Sequence, residues 1–225
     1  AGMRDLVYSP RLVLNSSVVV YGRPETPEIM AEVPTSDLPE PDRSREFYRS
    51  SKLDQERRIP ETGLDDFIIA RTAQHTGPGR IPNVVEDDIA HQIVKIWQGK
   101  TDQVGVRNKM AEVDMLYVQD TALAYLTLAR SGKRAEIYQI CSGEPRNVEF
   151  VAKLLLQIAG LAPENYPIVS TGSERLTYCR FSAQKLRALG WKPKHSLETA
   201  LATFWEDFRI KHFNSRADSA YRSAA

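Results

Sequence analysis

Tyr48 and Lys52 stand four positions apart in the stretch Tyr48-Arg49-Ser50-Ser51-Lys52, which puts both side chains on one face if the segment is helical. A lysine ammonium beside a phenol favours the phenolate and lowers a pKa that starts near ~10, so the tyrosine becomes a usable proton donor or acceptor near neutral pH. Ser17 precedes them at the end of an apolar run, where a hydroxyl can donate to a substrate carbonyl. Taken alone, Tyr-x-x-x-Lys equally describes two surface residues on a polar helix, and the order of the signals around it gives it weight. The histidines His75, His91, His195 and His212 show no metal-ligand spacing, and Cys141 and Cys179 lie far apart without a C-x-x-C pattern. Neither a metal site nor a disulfide framework is expected.

The elements that must hold these groups follow from periodicity. Residues 11–17 read as a strand whose Leu12-Val13-Leu14 has the continuous apolar character of a buried parallel strand. Residues 15–22 are its exit, on the side of an open α/β sheet where ligands bind. From Arg23 to Arg45 the density of Pro, Glu, Ser and Asp gives no period and reads as a loop over the site. The helix of Tyr48 and Lys52 has only Leu53 and Ile59 as later apolar positions before Pro60 stops it, and Glu56, Arg57 and Arg58 read as a solvated face.

Residues 66–70 form the next predicted strand, with 71–80 as its exit loop. Helices are predicted at 83–97, ending at Gly99, at 118–129 with Ala122, Leu123, Leu126 and Ala129 at helical spacing as core, and at 148–159 behind an Asn147 N-cap. Short strands are expected at 137–140 and 167–169, and two more helices at 183–189 and 197–211, capped by Ser182 and Ser196. Residues 214–225 are polar and read as a frayed tail.

With 42% hydrophobic and 26% charged residues, the 225-residue chain has the composition of a soluble globular protein with a substantial core. A formal net charge of +1 gives no electrostatic reason for a nucleic-acid partner. No apolar run reaches membrane-spanning length and no signal-peptide pattern is visible, so a reducing cytoplasm is the expected compartment.

Several landmarks occur in order: Ser16-Ser17-x-x-Val20-Tyr21-Gly22, Tyr48-x-x-x-Lys52, Arg71 to Arg80, Tyr117-Val118-Gln119-Asp120, Tyr138-Gln139-Ile140-Cys141-Ser142-Gly143 and Leu189-Gly190-Trp191-Lys192-Pro193. As a set they resemble the extended short-chain dehydrogenase/reductases, the nucleotide-sugar epimerases, dehydratases and reductases. His75-Thr76-Gly77-Pro78-Gly79 and Cys141-Ser142-Gly143-Glu144 look most like the GDP-6-deoxy-4-keto-mannose reductases.

The resemblance implies an α/β fold: a partial Rossmann-like parallel sheet within residues 1–80, a smaller C-terminal mixed α/β substrate lobe within 81–212 that returns elements to the sheet, and a tail at 213–225. It also implies NADP or NAD as cofactor and a nucleotide-sugar substrate. Ser17, Tyr48 and Lys52 would be catalytic, Tyr48, Lys52, Arg71, His75 and Arg80 would bind cofactor, and Gln74 and Arg175 would bind substrate. Val18 and Val19 stand where dehydratases of the family often carry acids, which favours a reductase or an epimerase. Val113 stands where the resemblance places an arginine against the diphosphate.

A homodimer through the Tyr48 helix is the family's usual assembly. The glycine fingerprint that holds the dinucleotide pyrophosphate does not occur in these residues. An upstream segment or a second polypeptide would supply it, or the chain is a non-catalytic binding or structural subunit of the same fold.

Overall fold

The structure is a computed structural model that describes residues 10–79, 84–172 and 177–213. Its elements in chain order begin with β1 (Leu12–Ser17), α1 (Phe47–Arg58), β2 (Phe67–Thr72), β3 (Gln74–Thr76) and α2 (Val85–Trp97). They continue through β4 (Val104–Val106), β5 (Glu112–Val113), β6 (Met115–Tyr117), α3 (Val118–Ser131) and β7 (Glu136–Ile140). The last are β8 (Arg146–Asn147), α4 (Val148–Ile158), β9 (Ile168–Ser170), α5 (Gln184–Arg187) and α6 (Leu197–Phe213). Between Gly22 and α1 the chain is largely irregular apart from one 3-10 turn at Thr35–Asp37, as its composition led one to expect.

β1, β2 and β7 make a three-stranded parallel sheet in the order β1-β2-β7, with Leu12 beside Phe67 and Ile68 beside Glu136. Alternation along β1 decides what the site can use. The Leu12 amide donates to the Asp66 carbonyl, so Leu12, Leu14 and Ser16 turn their backbone groups toward β2 while Val13, Asn15 and Ser17 turn theirs away. The side chains alternate on the other axis. Ser16 and Arg71 project toward Glu56 of α1, whereas Asn15 and Thr72 meet Tyr125 of α3.

Two apolar cores result. One surrounds the sheet and includes Leu53, Ile68, Ala70, Leu128, Tyr138, Phe181 and Trp191. The other packs α2, α4 and α6 around the parallel pair β4 and β9, with Ile89, Ile93, Val151, Leu155, Leu201 and Phe204 at its centre. Two of the three predicted caps form, as Asn147 accepts from the Phe150 amide at 2.8 Å and Ser196 from the Thr199 amide at 3.1 Å; α5 starts later than expected, with Ala183 rather than Ser182 at its N-cap.

Two expectations are corrected. The face of α3 expected to be core, Ala122, Leu123, Leu126 and Ala129, is exposed, and Thr121, Ala124 and Leu128 are buried instead. Both faces carry small or apolar residues at helical spacing, so periodicity could not choose between them. At the end of the helix Gly132 lies close against β2, where an added Cβ would be 2.4 Å from Ile68 Cδ1, and Leu128 is buried in the same core as Ile68. Glu56, expected on a solvated face, is 1% exposed, because it answers a buried arginine described below. Among the described residues no helix is long and apolar enough to cross a membrane. The expected tail lies outside the described residues.

Candidate functional site

A cleft of about 1070 Å³ opens where the C-terminal ends of β1 and β2 meet the second core. Ser17, Tyr48, Gln74 and His75 all line it, although their segments are separated by long stretches of sequence. Ser17 reaches it because β1 ends there and passes straight into a 3-10 turn, Val18–Tyr21. The Ser17 hydroxyl oxygen accepts from the Val19 amide at 3.3 Å, which leaves its proton free to donate outward. Gly22, at φ 84°, takes the chain out of this turn; an added Cβ would approach the Arg49 guanidinium carbon to 3.3 Å.

α1 brings in the other two groups. Tyr48 sits in its first turn, 59% exposed, and Lys52 lies one turn on with its ammonium 5.8 Å from the centre of the Tyr48 ring. The ammonium donates to the Asn15 carbonyl at 2.7 Å and to Gln55 Oε1 at 3.4 Å. The first of these is a backbone group turned away from β2, so the outer edge of β1 fixes Lys52 next to Tyr48. Asn15 is itself held from behind: the Tyr125 hydroxyl donates to Asn15 Oδ1 and meets Thr72 Oγ1, each at 2.6 Å. Burial raises the Tyr125 pKa above its usual value, which keeps this phenol a neutral hydrogen-bonding strut. No local signal could have found that strut, since Tyr125 and Asn15 are 110 positions apart.

Gln74 lines the cleft, but its amide nitrogen donates to Glu86 Oε2 at 2.8 Å, so the carbonyl oxygen is the end offered to a ligand. His75 lines it from the same short strand. Arg71 is not brought there. It is fully buried and forms a two-armed ion pair with Glu56 at 3.1 and 2.8 Å. Its remaining donors go to the Tyr21 hydroxyl, the Val33 carbonyl and Thr35 Oγ1. Alternation explains this: Thr72 faces the Asn15 side, so Arg71, one residue earlier, must face α1. Arg80 and Arg175, expected on cofactor and substrate, lie outside the described residues.

Val18 and Val19 form part of the wall. Among the described lining residues Glu112 is the one carboxylate, and it is neutralised. Arg180 bonds it at 2.7 and 3.0 Å, and these hydrogen bonds hold the Glu112 pKa below the usual carboxylate range. Cys179, also in the wall, has its thiol pushed up to about 12, chiefly by burial; it is no nucleophile at neutral pH. No cluster of described residues could hold a metal ion.

The family model described as "NAD dependent epimerase/dehydratase family" matches residues 3–141. GDP-6-deoxy-D-mannose reductase of Pseudomonas aeruginosa is 28% identical over 210 residues, 91% of this chain and 67% of that protein. dTDP-glucose 4,6-dehydratase 1 of Escherichia coli is 30% identical over 175 residues, 69% of this chain but only 45% of its own length. Among solved structures, RMD from Pseudomonas aeruginosa complexed with NADPH has a TM-score of 0.73 at 27% identity, covering 91% of this chain and 68% of that one. The Thermus thermophilus UDP-glucose 4-epimerase complex with NAD has the same fold, at a TM-score of 0.68 and 24% identity over 89% of this chain and 64% of that one.

Proposed function

Since the chain belongs to the NAD dependent epimerase/dehydratase family, we propose that it carries the catalytic residues of an NAD(P)-dependent oxidoreductase that reduces the 4-keto group of a nucleotide-linked 6-deoxy sugar. The observation that carries this reading is the meeting of Ser17 and Tyr48 in one cleft, with Lys52 fixed beside Tyr48 by the Asn15 carbonyl. The residues present suit the nicotinamide end of such a cofactor, with the Tyr48 hydroxyl and the remaining Lys52 donor available to its ribose. They offer no glycine-rich cradle for its pyrophosphate. When bound, the cofactor supplies hydride to the carbonyl carbon.

The chain's own part is proton chemistry. Ser17 donates a hydrogen bond to the substrate carbonyl oxygen and orients it. Tyr48 gives its proton to that oxygen as the carbonyl becomes an alcohol, and the Lys52 charge stabilises the phenolate left behind. Two features favour reduction over loss of water: Val18 and Val19 cannot transfer protons, and Glu112 is held by Arg180.

Tyr48→Phe should lower NADPH consumption with a 4-keto nucleotide sugar by about 10² to 10⁴-fold, while binding of the nucleotide sugar stays nearly intact. Turnover equal to the parent protein would refute the assignment. A second reading, a non-catalytic binding subunit of the same fold, is favoured by the engagement of Arg71 with Glu56 and of the Gln74 amide with Glu86. Titration with NADPH and NADH, followed by tryptophan fluorescence, tests the second reading: micromolar binding of either by the folded chain would refute it.

A further inference from the structure

We propose that Asn15 is a further cofactor-contact residue of this site, its side-chain amide held by Tyr125 so that its NH2 group donates to the carboxamide oxygen of a nicotinamide ring; the inference rests on the functional reading above. Neither residue is among those the sequence resemblance assigns. Asn15 is exposed and lines the cleft. It stands two positions before Ser17 on β1, so the two side chains leave the strand on the same side, roughly 6.6 Å apart.

The contact behind Asn15 decides which end of the amide the cleft receives. The Tyr125 hydroxyl lies 2.6 Å from Asn15 Oδ1 and 2.6 Å from Thr72 Oγ1. A separation that short belongs to an O–H···O bond, whereas an N–H donor stands about 2.7 to 3.2 Å from its acceptor, so the oxygen is the end turned to the phenol. Burial raises the Tyr125 pKa, and the phenol keeps the proton it donates. Thr72, 6% exposed, donates to the phenol oxygen in turn. The Asn15 NH2 group is thereby the end offered to the cleft, and among the described residues no group accepts from it.

The neighbours identify the oxygen it meets. Ser17 takes the reacting carbonyl of the substrate. The Lys52 ammonium rests on the Asn15 backbone carbonyl at 2.7 Å and, with Tyr48, serves the ribose hydroxyls. The acceptor that remains at the nicotinamide end is the carboxamide oxygen, carried on the ring carbon next to the one that gives hydride. A donor fixed from behind by a buried bond holds that group in one orientation, which sets the rotation of the ring relative to the carbonyl at Ser17.

The experiment is titration of the full chain, followed by tryptophan fluorescence, with NADH and NADPH and with their thionicotinamide analogues, in which sulfur, a poor acceptor, replaces the carboxamide oxygen. The parent should bind the analogue about 3- to 10-fold more weakly than the natural dinucleotide. Asn15→Ala keeps the backbone carbonyl that holds Lys52; it should bind the natural dinucleotide about 3- to 10-fold more weakly and no longer distinguish it from the analogue. Tyr125→Phe keeps the ring and removes only the hydroxyl, so the amide is free to turn and the preference should shrink without vanishing. A tyrosine that served stability alone would leave the preference intact, and that result would remove Tyr125 from the assignment. A parent with no preference, or an Asn15→Ala chain that keeps the parent's, would overturn the inference and leave the functional reading standing. A folded parent chain that binds no dinucleotide would overturn that reading, and this inference with it.

Discussion

At the scale of single residues, the exchange between Arg71 and Glu56 shows how a motif position can be absorbed by the fold. Both side chains are fully buried, and Glu56 also accepts from Ser16 and, through its other oxygen, from Thr35 at 2.6 Å. Every charged atom in the pair is thus answered. Removing one partner leaves the other as an uncompensated charge in a dry interior, which costs far more than the pair contributes net. Glu56→Ala should therefore lower stability in urea unfolding by about 3 to 5 kcal/mol. Replacing both partners, as Glu56→Leu with Arg71→Met, should recover part of that loss; a double variant less stable than Glu56→Ala alone would show that the pair is not the dominant contact.

Among the elements, α3 carries the clearest test, because its two faces look alike in the sequence. Leu128 is fully buried against the sheet, whereas Leu126 is 50% exposed. Leu128→Ala should cost about 2 to 5 kcal/mol, the usual range for a buried leucine, and Leu126→Ala should stay within about 0.5 kcal/mol. Comparable losses at the two positions, measured by thermal melts, would mean that the helix packs on the other face. α1 differs in kind. Its sequence is polar almost throughout, and what fixes it is Leu53 in the core, Glu56 on Arg71 and Arg49, which donates to the Val20 carbonyl at 3.2 Å and the Pro39 carbonyl at 2.6 Å. A helix held by buried polar bonds keeps its register narrowly, since each bond has one acceptable geometry. That register is what puts Tyr48 at the cleft and Lys52 on Asn15.

In the whole molecule, the cleft lies at the junction of the two cores, and Glu112 with Arg180 ties them: Glu112 belongs to β5 beside the second core, and Arg180 precedes Phe181 of the first. The Glu112 pKa is lowered in the folded chain, so its contribution is present above the unfolded carboxylate value near ~4.3 and is lost as pH falls through the lower folded value. Arg180→Gln should therefore destabilise the chain at pH 7, and only slightly, because solvent screens a pair whose arginine is exposed. In urea unfolding at a pH well below the folded value, variant and parent should converge. A difference that persists in acid would mean that Arg180 acts through packing.

What could be read in the sequence were local quantities. The Tyr48 and Lys52 spacing, the apolar run of β1, the caps at Asn147 and Ser196 and the stop at Pro60 are fixed by neighbours a few positions apart, and periodicity and turn chemistry report such neighbours directly. The landmarks in series were enough to place the family. Tertiary structure alone decided which face of α3 is buried, that Arg71 and Glu56 find each other, that Tyr125 braces Asn15 and that Arg180 neutralises Glu112. The physical reason is that burial and charge pairing depend on contacts between residues up to 153 positions apart, and the chain's local pattern carries no term for a partner at that distance.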